Sequence, residues 1–158
     1  MERKRRNWIA AIAAAIFAAL ASAAAAQTPE DEILAAMARW SDVYSTATDA
    51  AEMQALYHPD AVFWGTGGRV PMAGVEEFGP YFQTQFDNFT DRAHGFVDPV
   101  IRFYGDDDVA TSTGLYRFNV TPAAGGAPIE VLYRYSFSYV LTDDGWLIIQ
   151  QHSSQLPQ

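Results

Sequence analysis

The spacing of apolar positions changes once along this chain, and the change divides it. Up to Phe89 they recur at helical intervals: Ile33, Met37, Trp40 and Tyr44 form one stripe, and Val75, Phe78, Phe82, Phe86 and Phe89 another. From Ala93 onward the period is two, over stretches 94–104, 108–120, 129–141 and 146–154. Local signals set the boundaries. Thr28 is placed to cap a first helix, with Pro29 at its first position and Asp31 three residues after the cap. Asp49 and Glu52 stand at capping-box spacing for a short second helix, which Met53, Leu56 and Tyr57 pack and Pro59 stops. His58-Pro59-Asp60 reads as a turn into a short strand over 61–64, and residues 69–72 return beside it as a small hairpin. Gly74 opens a third helix that Pro80 is expected to kink or split. Helices first and strands after predict an α+β fold. Three helices would pack on a strongly curved, mainly antiparallel sheet, forming a cone with a pocket at its open end.

Composition and charge change the picture at the first residues. Arg3-Lys4-Arg5-Arg6, an apolar run over 8–20 and Ala24-Ala25-Ala26 have the layout of a cleaved export signal. A retained anchor is the alternative, although the run is dominated by alanine, and Arg5-Arg6 also allows twin-arginine export. The reading is therefore a signal over 1–26 and one domain over 27–158, periplasmic or secreted. That domain keeps six of the ten basic and eighteen of the nineteen acidic residues, a net charge of −12. Such a surface argues against nucleic acid, and against a membrane once the signal is removed. Without cysteine there is neither a disulfide nor thiol chemistry. The six basic residues are all arginine, the cation suited to fixed, bidentate anion contacts.

The most suggestive polar residues fall in the last two strands. Arg134 lies mid-strand on a face with Leu132, Ser136, Ser138 and Val140, opposite Tyr133, Tyr135, Phe137 and Tyr139. An arginine there needs an anion or an acid, so it either binds a ligand or pairs with an acid such as Asp42. Arg117 is a second candidate of the same kind. A three-residue loop at Asp143-Asp144-Gly145 would pair Ser136 with His152 and align His152 with Arg134. A loop of two or four residues would move His152 to the tyrosine face.

Two segments carry a family resemblance: TDAAEMQALYHPDAVFWGT over 48–66 and RYSFSYVLTDDGWLIIQQHSSQLP over 134–157. They resemble the nuclear transport factor 2-like (cystatin-like α+β cone) superfamily. The second is most similar to exported bacterial relatives of the calcium/calmodulin-dependent protein kinase II association domain. Gln151 departs from the histidine pair common there. The resemblance implies a deep pocket and a homodimer formed through the outer sheet face. SnoaL-like cyclases and ketosteroid isomerases are more distant relatives, but the isomerase base position holds Trp64-Gly65 instead of a carboxylate.

The expectation is thus a pocket for a partly apolar, anionic small molecule. Trp40, Tyr44 and Trp64 would form its walls, Arg117 and Arg134 would hold the anion, and His152 would add a hydrogen bond. The alternatives are a cyclase, isomerase or hydratase using His152 as its base, and a dimerisation module whose tyrosine-rich strand face is the interface. Three scattered histidines give no metal-ligand spacing, and no cofactor is implied.

Overall fold

The structure is a computed structural model that describes residues 27–157. The export-signal reading of residues 1–26 lies outside the described residues. Helix α1 (Pro29–Thr46) starts as expected: Thr28 accepts from the Asp31 backbone N–H, and the Asp31 carboxylate answers at the Thr28 N–H, 3.0 Å away. Its stripe Ile33, Met37, Trp40 and Tyr44 is buried. Helix α2 (Ala50–Gln54) is capped by Asp49 and ends earlier than Pro59 would require. The expected turn at His58-Pro59-Asp60 is instead part of β1 (Tyr57–Trp64). The ladder to its parallel neighbour is irregular between Tyr57 and Val62, which accommodates a proline that has no N–H to give. Strand β2 (Met72–Ala73) pairs antiparallel with β1.

Helix α3 (Val75–Asn88) runs through Pro80 as one helix and buries Phe78, Phe82 and Phe86. Four long strands follow: β3 (Phe89–Tyr104), β4 (Val109–Pro122), β5 (Ile129–Thr142) and β6 (Gly145–Gln155). The sheet order is β2-β1-β6-β5-β4-β3, antiparallel throughout except between β1 and β6. The α+β architecture read from the sequence is the one observed.

Two irregularities in β3 supply curvature. Asp91-Arg92 and Asp98-Pro99 each oppose one residue of β4, and Asp91 and Asp98 take positive φ of 46° and 48°. Opposite the second bulge is Gly114, where a Cβ would lie 3.1 Å from the Val97 carbonyl oxygen and 3.2 Å from that of Asp98. Arg92 is turned toward the helices. Its guanidinium donates to the carbonyls of Tyr44 (3.0 Å) and Ala47 at the end of α1, and to those of Phe86 (3.4 Å) and Phe89 (3.0 Å) at the end of α3. Neither helix has a basic residue in its last turn, so this one side chain from β3 supplies the positive charge for both C-termini.

The helix-covered face of the sheet is the aromatic one: Tyr135, Phe137, Tyr139, Tyr116 and Phe63 are all nearly fully buried. Arg134, Arg117 and His152 are exposed on the opposite, uncovered face. This inverts the sequence reading of the hairpin, and the tyrosine-rich face is core, unavailable as an interface. The cause is energetic. Each large aromatic side chain gains by leaving water, whereas an unpaired guanidinium loses by it.

Candidate functional site

Between the helices and the concave face lies a cavity of about 670 Å³. Helix α1 contributes Trp40 and Tyr44, and α3 contributes Tyr81 and Phe82. The glycine-rich 65–70 segment forms one rim, and Tyr116, Phe118, Tyr133, Gln151 and Ser153 come from the sheet. Trp40 is held among aromatic rings. It stacks on Tyr44 with centroids 5.5 Å apart and planes 2° from parallel, and meets Phe82, Phe137 and His94 edge-on. Gly65 makes room for Tyr81 at the rim, because a Cβ there would sit 2.6 Å from Cζ of Tyr81 and push the ring aside.

Some of the polar groups in the wall are paired with one another. Trp40 Nε1 donates to the Tyr57 hydroxyl at 2.8 Å, and that hydroxyl donates to Oε1 of Gln151. The Thr66 and Ser153 hydroxyls bond to each other across the cavity wall. Burial pushes the Tyr116 phenol well above its ordinary value, while the neighbouring Ser153 and Thr66 hydroxyls act in the opposite direction. Burial likewise raises Tyr44, against the pull of Arg92, and raises Tyr81. These phenols are neutral donors and acceptors, and the same surroundings disfavour any anion in the interior. No carboxylate or imidazole lines the cavity among the described residues, and its one charged lining side chain is Arg69, exposed on the rim.

The six residues expected to bind ligand separate into two groups. Trp40 and Tyr44 line the cavity. Trp64, Arg117, Arg134 and His152 do not, and this placement corrects the expectation. Trp64 is 41% exposed on the outer face, its ring 5.8 Å from that of His152. Arg134 donates to the Gln155 carbonyl at 2.9 Å instead of meeting Asp42 or a cavity anion. Arg117 lies 3.8 Å from Glu130, both in water.

The hairpin explains His152. Thr142 pairs with Gly145, so the loop has two residues, and a bulge at Ile149 then restores the pairing of Ser136 with His152. Arg134 and His152 share a face as expected, but it is the outer one. The residues that the sequence reading missed, Gln151 and Ser153, are their neighbours and point inward. Their signal was the pairing of Gln151 with Phe137 and Ser153 with Tyr135, which places them on the aromatic face.

His94 is a half-buried imidazole whose ring is packed among aromatic side chains. It sits behind Trp40 with Nδ1 2.8 Å from the Ser41 hydroxyl, and its Nε2 is sealed without a partner. Burial lowers its pKa to about 3, so it is neutral at physiological pH and a weak base.

A family model for the SnoaL-like domain matches residues 25–152. The chain belongs to the SnoaL-like domain family. This SnoaL-like domain is also similar to a protein from Xanthomonas campestris assigned as a calcium/calmodulin-dependent protein kinase II association domain. That match has 28% identity and a TM-score of 0.75, covering 87% of this chain and 94% of the other. A nuclear transport factor 2-like superfamily protein from Salmonella enterica matches at 19% identity and TM-score 0.72, over 82% and 92% of the two chains. A protein from Streptomyces avermitilis assigned as a dehydratase of the nuclear transport factor 2-like family matches at 16% and 0.71, over 83% and 100%. At those two identities the likeness is one of fold. No curated protein matches this chain by sequence.

Proposed function

We propose that this SnoaL-like domain is an exported protein that binds a small, largely apolar, ring-bearing molecule inside the cone. The observation that carries the reading is the cavity itself, roomy, aromatic-walled and supplied with a few oriented hydroxyl and amide groups. An acidic group on the ligand, expected from the arginine content, would have to stay at the rim beside Arg69. Export rests on the basic and apolar pattern of residues 3–26.

The outer sheet face supports homodimerisation as part of the same proposal. Val62 and Trp64 on β1 and Val100 and Tyr104 on β3 are 39–54% exposed there, apolar positions at the two sides of a face whose middle carries Arg117, Arg134 and His152. Acid–base catalysis by His152 would require that side chain to turn from the outer face into the cavity, and the lining offers no substitute base.

Anilinonaphthalene sulfonate, an aromatic anion, tests the binding reading. Its fluorescence should rise with wild-type protein, and rise less with Arg69→Ala and with Val131→Trp, which narrows the cavity. Equal binding by Val131→Trp would place the dye elsewhere and remove the support.

A further inference from the structure

The chain Trp40–Tyr57–Gln151 fixes more than packing. An indole N–H can only donate, so the Tyr57 oxygen must accept from Trp40. Tyr57 then has one hydrogen left, and the group within reach is the Gln151 carboxamide. If that amide were reversed, two donors would point at Tyr57 and its own buried hydrogen would have no acceptor, an arrangement that native interiors avoid. Oε1 of Gln151 therefore faces Tyr57, and the NH2 group faces the other way. Gln151 is 3% exposed and lines the cavity. Its Nε2 bonds to no protein acceptor among the described residues, yet it is not sealed as His94 Nε2 and the Tyr139 hydroxyl are. An oriented amide donor thus opens into a chamber whose other inner polar groups are hydroxyls, which can donate or accept.

We propose that Gln151 is the specificity-determining group of the cavity, and that it selects ligands presenting an uncharged acceptor oxygen, a ketone, ester or amide carbonyl on a ring body. The proposal rests on the reading of the cavity as a ligand site and deepens it. A carbonyl fits better than either alternative. A hydroxyl would have to place its hydrogen without an acceptor offered by Gln151. A carboxylate at this depth would be unpaired, because Arg69 on the rim is the only charged lining group among the described residues. The raised phenols of Tyr44 and Tyr116 mark the same chamber as hostile to negative charge. A carbonyl takes one hydrogen bond and leaves the rest of the ligand to the aromatic walls.

The test compares α-tetralone with tetralin, its hydrocarbon counterpart, by calorimetric titration of wild type and Gln151→Met. Wild type should prefer the ketone by about tenfold, the worth of one neutral hydrogen bond. Gln151→Met should lose that preference, its ketone-to-tetralin affinity ratio falling to about one whatever its absolute affinity for tetralin, and the carbonyl stretch of bound ketone should move to higher frequency. Should the variant fold poorly, wild type alone suffices: the side-chain amide protons of Gln151 should shift on adding ketone and not on adding tetralin. Equal affinities in wild type, or a preference that survives Gln151→Met, would overturn the role of Gln151 and leave the cavity reading intact. Binding of neither probe to wild type would overturn both.

Discussion

Replacing His94 with phenylalanine should make the protein less sensitive to acid, although it deletes a hydrogen bond. Its imidazole is ringed by Trp40, Phe118 and Phe96 with centroids 4.5, 4.7 and 4.8 Å away. One nitrogen reaches Ser41, and the other has no partner. Burial depresses the folded-state pKa to about 3, whereas the unfolded chain titrates at about 6.5. Between those values the unfolded state holds the extra proton, so stability is complete above the upper value and falls as pH drops toward the lower one. At about 1.4 kcal/mol per pH unit, moving from neutrality to about pH 4.5 should cost up to roughly 2.5 kcal/mol through this residue alone. Phenylalanine removes the titration and the orphaned nitrogen together, and Ser41 keeps its bond to the Met37 carbonyl. Urea denaturation followed by tryptophan fluorescence at pH 7.5, 6, 5 and 4.5 would measure it, with ~0.5 kcal/mol resolvable between variants. The exposed carboxylates titrate alike in both proteins and cancel in the difference. Parallel pH curves for wild type and His94→Phe would refute the reasoning.

Other consequences can be checked in the same way. Arg92→Ala should be the most damaging of the arginine substitutions, costing about 3 kcal/mol because four carbonyls lose a charged donor at once, while Arg134→Ala should stay within about 0.5 kcal/mol; urea midpoints decide both. Gly65→Ala should displace the Tyr81 ring and cost about 1–3 kcal/mol, with dye fluorescence falling alongside the melting temperature. If the proposed dimer forms through the outer face, wild type should sediment as a dimer and the variant with aspartate at both Trp64 and Val100 as a monomer with unchanged probe affinity, and a monomeric wild type or an unchanged coefficient would remove that face as an interface.

What could be read in advance was what depends on neighbours in the chain. The Thr28 cap, the α1 stripe and the long strands follow from local stereochemistry and periodicity, and the structure reproduces them to within a few residues. The candidate site was legible only in part, because alternation identifies two faces of a strand without saying which one is covered. The mid-strand arginine drew attention to the wrong face of β5, although the four aromatics opposite it carried the larger burial energy. Register was obscured further by Ile149, whose bulge compensates for a shorter loop at Asp143-Asp144 and leaves no mark in composition. Gln151 and Ser153 were overlooked for the same reason: their neighbours His152 and Arg134 look more reactive. Proline at 80 does not split helix α3, which continues past it.

The parallel seam between β1 and β6 governs when this cavity can exist. Strand β1 follows the second helix, whereas β6 is the last strand to emerge during synthesis, and β1 otherwise pairs only with the two residues of β2. Pairings between segments so distant in sequence pay a large loop-closure entropy before they return any contact energy, which slows folding. Until β6 arrives, Phe63 and Tyr57 have no sheet to lie against and the rim residues have no wall to face. The chamber therefore closes only when this long-range seam is made, and an unfolded chain has no site to offer a ligand.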